Sequence, residues 1–402
     1  MHVALLSPAW SPKQNPNGIV TYVHWMREGL RQEGHRVSVF TAALDAPEDG
    51  VYLVQSSVLH RARGWLESKL HGPRYFPLFR WGNACANALL RVHRRDPIDV
   101  IEMEESFGWV ADVARGTAVP TVVKLHGPAF MSLVDEEQGT LFGQVKIAQE
   151  GKALRRMAVI TSPARRTLDE TVERYALAPA VSRHIVNPLT LPPSAPLWRL
   201  DACDRKTILF VGRFDKRKGG DLVLQAFAQL LERDPDLTLI FVGPDAGIAT
   251  EDGRTLHFDE YRRSLFPADA AARVDFRGKL APDEIYGLRA RALVTLIASR
   301  WENQSYTALE AMLQGCPVVS SSAGGQPEIV RDGATGLLSK IGSADDLARN
   351  VQSLLDHPER AAALGRNARE YALAQHAPAS VVRETLEVYD AAISIAKRRR
   401  TP

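Results

Sequence analysis

The chain has 402 residues, a length that at ~100–200 residues per domain points to two domains with sizeable cores. Lys and Arg number 50 against 47 Asp and Glu, a formal net charge of +3, which excludes a polyanion-coating protein and makes charge informative only where it clusters. The three cysteines, Cys85, Cys203 and Cys316, are odd in number and show neither CxxC nor metal-ligand spacing, which excludes a disulfide scaffold and suits a reducing, cytoplasmic home.

Short aliphatic runs alternate with longer amphipathic segments, the pattern of βα units and a parallel sheet. HVALLS (2–7) reads as a first strand, with no basic n-region around it to make a signal peptide. A Pro/Asn/Gly loop follows, then a helix from about Ile19 whose apolar positions Ile19, Val23, Met26 and Leu30 mark one buried face. Gly34 ends that helix and RVSVFT (36–41) resumes a strand. Further strands are expected at 99–103, 121–126, 158–162 and 184–187. The prolines of NPLTLPPSAPLWRL, Pro188, Pro192, Pro193 and Pro196, exclude sheet or helix interior and suggest an interdomain linker.

Beyond the linker the alternation restarts. KTILFVG (206–212), LTLIFVG (237–243), RVDFRG (273–278), LVTLIAS (293–299) and CPVVSSS (316–322) read as strands, and 221–232 as a helix. The tail from about Pro378 is amphipathic through Val382, Leu386, Tyr389 and Ile393, and ends KRRR. The expected division is 1–190, 191–375 and a C-terminal helix, 376–402, crossing back to the first domain. No apolar run approaches the ~18 residues that span a bilayer, so membrane contact is expected to be peripheral.

Two carboxylates stand out in SRWENQSYTALEAMLQG (299–315), Glu302 and Glu310. Eight steps along a helix separate side chains by ~12 Å, and along a strand by ~26 Å; neither spacing makes a two-carboxylate hydrolytic pair, which needs ~5–10 Å. Glu302 is expected in a strand-to-helix loop, either solvated or ligand-facing. Thr307-Ala-Leu-Glu310 has capping-box spacing, so Glu310 either caps its own helix or contacts a ligand. In open parallel sheets ligands bind at the carboxyl ends of strands, where two carboxylates can accept hydrogen bonds from a polyol.

Other candidates sit at the same kind of edge. In VGRFDKRKGGD (211–221), Arg213 and Lys218 bracket a turn, Gly219-Gly220 permits close backbone approach, and a helix N-terminus follows, a setting for a diphosphate or simply an exposed basic loop. GxxxxGK[ST] is missing, which excludes a Walker loop, and GxGxxG is missing after the first strand, which argues against a dinucleotide site. NPNGIVTY places Gly18 at a helix start; KLHGP places His126 after a strand; SSAGGQPEIV supplies Gly324-Gly325 before a short helix in which Glu328 complements the dipole. No carboxylate cluster suggests Mg²⁺, so metal independence is expected.

In order and spacing these strings resemble the retaining glycosyltransferases of the GT-B fold, the sucrose and glycogen synthase-like family. The likeness runs over nearly the whole chain, including EGHRVSVFT, KLHGP, VGRFDKRKGG, VDFRGKL, WENQSYTALEAMLQGCPVV and GGQPEIVRDGATGLL. It implies two Rossmann-like α/β/α domains facing across a cleft, and transfer of a sugar from a UDP- or GDP-linked donor to a glycan, glycolipid or small-molecule hydroxyl with an α-linked product. By the same resemblance His126, Arg213, Lys218 and Glu302 are catalytic. Asn17, Gly18, Gly212, Gly278, Asn303, Gln304, Ser305, Tyr306, Thr307 and Glu310 bind the donor, with Glu310 on the ribose and Glu302 facing the sugar. The chain departs from the pattern in two places: Asn17 stands for a glycine, and Asn303-Gln304-Ser305 for Pro-Phe-Gly, which puts the donor sugar in question.

The stretch 61–95 carries eight basic residues against Glu67 alone, interleaved with Trp65, Tyr75, Phe76, Phe79 and Trp81. It reads either as a dock for an anionic membrane at the cytoplasmic face or as a solvated basic face over core aromatics. Nucleic-acid binding is not expected. A sugar-nucleotide epimerase of the same fold, and an inactive nucleotide- or glycan-binding homologue, remain as alternatives.

Overall fold

The computed structural model describes residues 1–11, 17–55, 69, 81–250 and 252–400. Most of the basic aromatic stretch, including Arg61, Arg63, Trp65, Glu67, Arg74, Tyr75, Phe76, Phe79 and Arg80, lies outside the described residues. The chain divides into two units: Met1–Pro188 together with the residues from Pro378 on, and Leu189–Ala377.

Unit 1 is built on seven parallel strands: β1 (His2–Ser7), β2 (Arg36–Thr41), β3 (Val51–Leu53), β4 (Val100–Glu104), β5 (Thr121–Lys124), β6 (Val159–Ser162) and β7 (Val181–His184). Their order across the sheet is β3-β2-β1-β4-β5-β6-β7. Every residue of β1, β4 and β6 is buried, which is why those segments read as unbroken apolar runs rather than alternating ones. Helix Gly18–Gln32 buries Val20, Val23, Met26 and Leu30. Its N-cap is Asn17, whose side chain accepts the Ile19 amide at 2.8 Å. Helix Pro378–Arg400 belongs to this unit, and its Val382 packs so closely on Gly29 that a Cβ there would sit 2.6 Å from the valine methyl. The strand expected at 184–187 is displaced: β7 occupies Val181–His184. Its neighbour β6 ends at Ser162, so the ladder runs out after His184, although the Ile185 amide still reaches the Ser162 carbonyl.

Unit 2 carries β8 (Asp204–Val211), β9 (Thr238–Val242), a two-stranded antiparallel ribbon β10 (Ile248–Ala249) and β11 (Thr255–Leu256), then β12 (Val274–Gly278), β13 (Ala292–Ile297), β14 (Val318–Ser321) and β15 (Leu337–Ser339). The parallel sheet runs β12-β9-β8-β13-β14-β15. Its core is aromatic on one face, where Phe210 and Phe241 rings stand 4.6 Å apart and Phe258 packs edge-on to Phe214 and Phe241. The proline-rich stretch is sewn to this unit: Leu189 N bonds His376 O, Trp198 N bonds Gln314 O, and the Trp198 indole donates to Ala292 O at 2.7 Å. Among the described residues no helix is long and apolar enough to cross a membrane.

Candidate donor site and its counterpart in unit 1

In unit 2 the sheet changes winding direction between β8 and β13, so the loops leaving their carboxyl ends lie side by side, where open α/β sheets form a ligand crevice. The β8 loop is folded on itself by Asp215. One carboxylate oxygen accepts the Lys218 amide at 2.6 Å and the other meets the half-exposed Arg213 guanidinium at 2.5 Å. Gly219 has φ +72°, and a Cβ there would lie 2.0 Å from the Ala298 carbonyl, so only glycine lets this loop rest on the end of β13. Helix Gly220–Leu231 starts at once, turning its N-terminal amides toward the loop.

From the other side comes Glu302, only 6% exposed. Its Oε1 accepts hydrogen bonds from Lys218 Nζ and, at 2.7 Å, from Ser299 Oγ. Its backbone is fixed as well: the carbonyl accepts the Gly325 amide at 2.9 Å, and Gly324, at φ +56°, comes so near that a Cβ would stand 1.9 Å from that carbonyl. Burial pushes the Glu302 pKa up, but the charges of Lys218 and Arg217 and the two hydrogen bonds outweigh it, so the net shift is down and the carboxylate is ionised. The solvated-loop alternative for Glu302 is thereby corrected.

Asn303, Gln304 and Ser305 are buried. Ser305 caps helix Tyr306–Gln314 through its hydroxyl, which accepts the Ala308 amide, while its own amide donates to Gln326 Oε1. The capping box expected between Thr307 and Glu310 is therefore not formed: the cap sits two residues earlier, and Glu310 falls in the second turn. There its Oε2 accepts Arg289 Nη2 at 3.0 Å. Burial, and then the Glu310 charge, push the neighbouring Tyr306 hydroxyl well up. Gly212 and Gly278 end up at the same sheet edge, since Gly212 N bonds Val242 O and Gly278 O accepts Gly243 N, each at 2.8 Å.

In unit 1 the winding reverses between β1 and β4. Asn17 and Gly18 open the helix after β1, and the Asn17 carboxamide, by capping, occupies the Ile19 amide itself. His126 follows β5. Burial, and then the nearby Lys124 charge, hold its imidazole down at about 3, so it is neutral. The ring packs edge-on to Tyr22 at 5.0 Å, and Tyr22 donates to Glu102 at 2.8 Å.

Several residues that order these loops went unread in the sequence. Arg300 grips Asp221 with two hydrogen bonds of 2.8 and 2.6 Å and donates to the Lys216 carbonyl, clamping the β13 loop to the β8 loop. Fully buried Arg289 holds both Glu310 and Gln314. Glu105, also fully buried, accepts the His126 amide at 2.9 Å and the Gly127 amide at 2.6 Å. Asp221 and Arg300 each directly follow a recognised loop or strand, and Glu105 directly follows a strand at the ligand edge; those positions were the available signal.

The family model for glycosyl transferases group 1 matches residues 201–371, and that for the glycosyl transferase 4-like domain matches 17–189. A D-inositol 3-phosphate glycosyltransferase of Rhodococcus jostii is 36% identical over 92% of this chain and 85% of its own. Its namesake in Corynebacterium aurimucosum is 33% identical over a shorter stretch, 47% of this chain and 44% of that protein, so there the match spans less than half the relative's length. Among solved structures, the sucrose-phosphate synthase of Thermosynechococcus elongatus superposes with a TM-score of 0.76 at 21% identity, covering 98% of this chain and 99% of the other. Anabaena HepE in complex with UDP-glucose gives 0.69 at 18% identity, over 97% and 100%.

The two family models and the relative matched over most of its length make the chain a retaining glycosyltransferase that uses a nucleotide-sugar donor, and the fold is GT-B. The chain belongs to the glycosyl transferases group 1 family.

Proposed function

We propose that the chain transfers a sugar from a UDP-sugar to a hydroxyl acceptor with formation of an α-glycosidic bond, without a metal ion, in the cytoplasm or at the inner face of the membrane. In this reading Glu310 holds the ribose of the donor, and Arg213, Lys218 and the N-terminus of helix Gly220–Leu231 neutralise the diphosphate. Glu302 and the Asn303-Gln304-Ser305 loop face the sugar, with Gly212 and Gly278 leaving room for the nucleotide at the sheet edge. Asn17 and Gly18 are assigned to the phosphates, and neutral His126 to the sugar and its developing charge. The bond from the anomeric carbon to the donor phosphate breaks, its electron pair leaves with the nucleoside diphosphate, the acceptor oxygen adds from the same face, and its proton passes to a donor phosphate oxygen. Preorganised cations at that leaving group contribute up to ~3–4 kcal/mol each.

The observation that carries this reading is the junction of Lys218 and Glu302, one cation and one ionised carboxylate in contact at the winding reversal of unit 2. UDP is proposed because the HepE structure holds UDP-glucose. For the acceptor, the relatives' name makes D-inositol 3-phosphate the first compound to try. A thermal-shift panel of sugar nucleotides, followed by nucleotide release with inositol phosphate, neutral polyols or no acceptor, tests the assignment. Stabilisation by a UDP-sugar and acceptor-dependent UDP release unaffected by EDTA are expected. Nucleotide or epimer formed without acceptor would instead favour an epimerase, and a β-linked product would contradict retention.

A further inference from the structure

Away from the strand ends that carry Lys218 and Glu302, the surface of unit 2 carries an open cavity of about 460 Å³, within the size range of small-molecule sites. Its walls come from the segment before β8 and the start of that strand, the end of helix Tyr306–Gln314 and one face of helix Pro358–Gln375. Four arginines line it, Arg199, Arg205, Arg366 and Arg369, against two carboxylates, Asp201 and Glu359. Two of the four are committed: Arg199 holds Asp201 through hydrogen bonds of 2.9 and 2.5 Å, and Arg369 donates to the Leu313 carbonyl at 2.6 Å. Among the described residues the side chains of Arg205 and Arg366 have neither an ion pair nor a hydrogen bond, and both are exposed. Ala362 lies one helical turn before Arg366, so one helix face offers an apolar step beside a guanidinium, and Leu197 and Trp198 add apolar surface from the facing wall.

We infer that this cavity is a second ligand site, distinct from the donor crevice, and that it takes an organic phosphate monoester of about hexose size. Guanidinium forks match phosphate oxygens bidentately, and the apolar wall favours a carbon-bearing ligand over bare phosphate. The site has a route to the donor crevice. Gln314, on the cavity wall, accepts Arg289 Nη1 at 2.8 Å while its own amide group donates to the carbonyls of Pro196 and Tyr286. Arg289 Nη2 in turn holds Glu310 at 3.0 Å. A ligand that shifts Gln314 therefore shifts the partner of the carboxylate assigned to the donor ribose, and occupancy of the cavity changes nucleotide affinity. This second step rests on the proposed donor site; the cavity itself does not.

Calorimetric titration with glucose 6-phosphate, with and without saturating UDP, tests the site in the full chain. Binding is expected in both conditions, and the double variant Arg205→Ala/Arg366→Ala is expected to weaken it by about tenfold or more while leaving UDP affinity in the absence of sugar phosphate unchanged. Equal binding by wild type and double variant, or no binding by the wild type, would overturn the site. Arg205- and Arg366-dependent sedimentation with phosphatidic acid vesicles, without binding of the soluble sugar phosphate, would also overturn it and point to a lipid headgroup. For the coupling, saturating glucose 6-phosphate is expected to change the Kd for UDP by about threefold or more, and Arg289→Lys to erase the change. Identical UDP affinities with and without it would sink the coupling. Failure of UDP to bind at all would count against the donor assignment and leave the cavity titration standing.

Discussion

Lys218 and Glu302, 84 residues apart in the chain, meet in a charged hydrogen bond at the point where the β8 and β13 loops touch. The ammonium assigned to the diphosphate is thus in contact with the carboxylate assigned to the sugar, so the two proposed roles are coupled through one hydrogen bond. Lys218→Met is expected to lower turnover by about 10²–10³-fold. It also removes the strongest influence holding the Glu302 pKa down, so an acidic limb should move upward in the pH–rate profile. Steady-state rates across pH 5 to 9 check both; a variant within about threefold of wild type would remove Lys218 from the transition state.

Glu310 makes a different kind of pair. Arg289 is fully buried while the Glu310 side chain is a quarter exposed, so the carboxylate is anchored from beneath and open above. Glu310→Ala should raise the Kd for UDP and also strand a buried guanidinium, costing about 3–5 kcal/mol of stability. Glu310→Gln keeps an oxygen for Arg289 and should recover most of the stability but less of the nucleotide affinity. Denaturation midpoints set beside UDP titrations separate the two effects; variants losing both in parallel would mean that Glu310 is only structural.

The strand positions were legible because buried parallel strands leave apolar runs and glycine punctuation, as in HVALLS and RVSVFT, which the structure reproduces residue for residue. The motif loops were legible because Gly219 and Gly324 announce close backbone approach. What stayed hidden was pairing at a distance. Nothing in TALE reveals that Ser305 takes the cap and that Arg289, 21 residues away, takes Glu310. Spacing reports neighbours along a helix, whereas the choice of partner for a carboxylate depends on which element packs across from it.

Glu105 shows the same point in unit 1. Its two oxygens accept successive amides, His126 and Gly127, and so fix where the imidazole emerges from β5. Glu105→Ala leaves both amides unsatisfied and should cost about 2–3 kcal/mol. Glu105→Gln keeps one acceptor, and the expected signature is a fall in kcat with little change in donor KM, since the residue positions His126 and touches no donor group. If the Gln variant loses donor KM and leaves kcat intact, the positioning role fails.

Glu104 gives the clearest pH dependence. Burial, and then the neighbouring Glu105 charge, raise its carboxyl from 4.5 to about 7, against the opposing Ser106 hydroxyl and Lys146. The folded state therefore holds this proton more tightly than the unfolded chain. The associated stability is fully present below about 4.5 and is lost as pH rises through about 7. Between pH 5.5 and 8 the loss comes to about 2 kcal/mol for this group alone, and Glu150, raised to about 8 mainly by burial, acts in the same direction. Glu104→Gln is neutral like the protonated acid and still accepts the Ser106 hydroxyl, so it should flatten part of the slope and stabilise the protein at pH 8 more than at pH 5.5. Denaturant titrations of both proteins at the two pH values measure this. Parallel slopes would show that Glu104 ionises freely in the folded state.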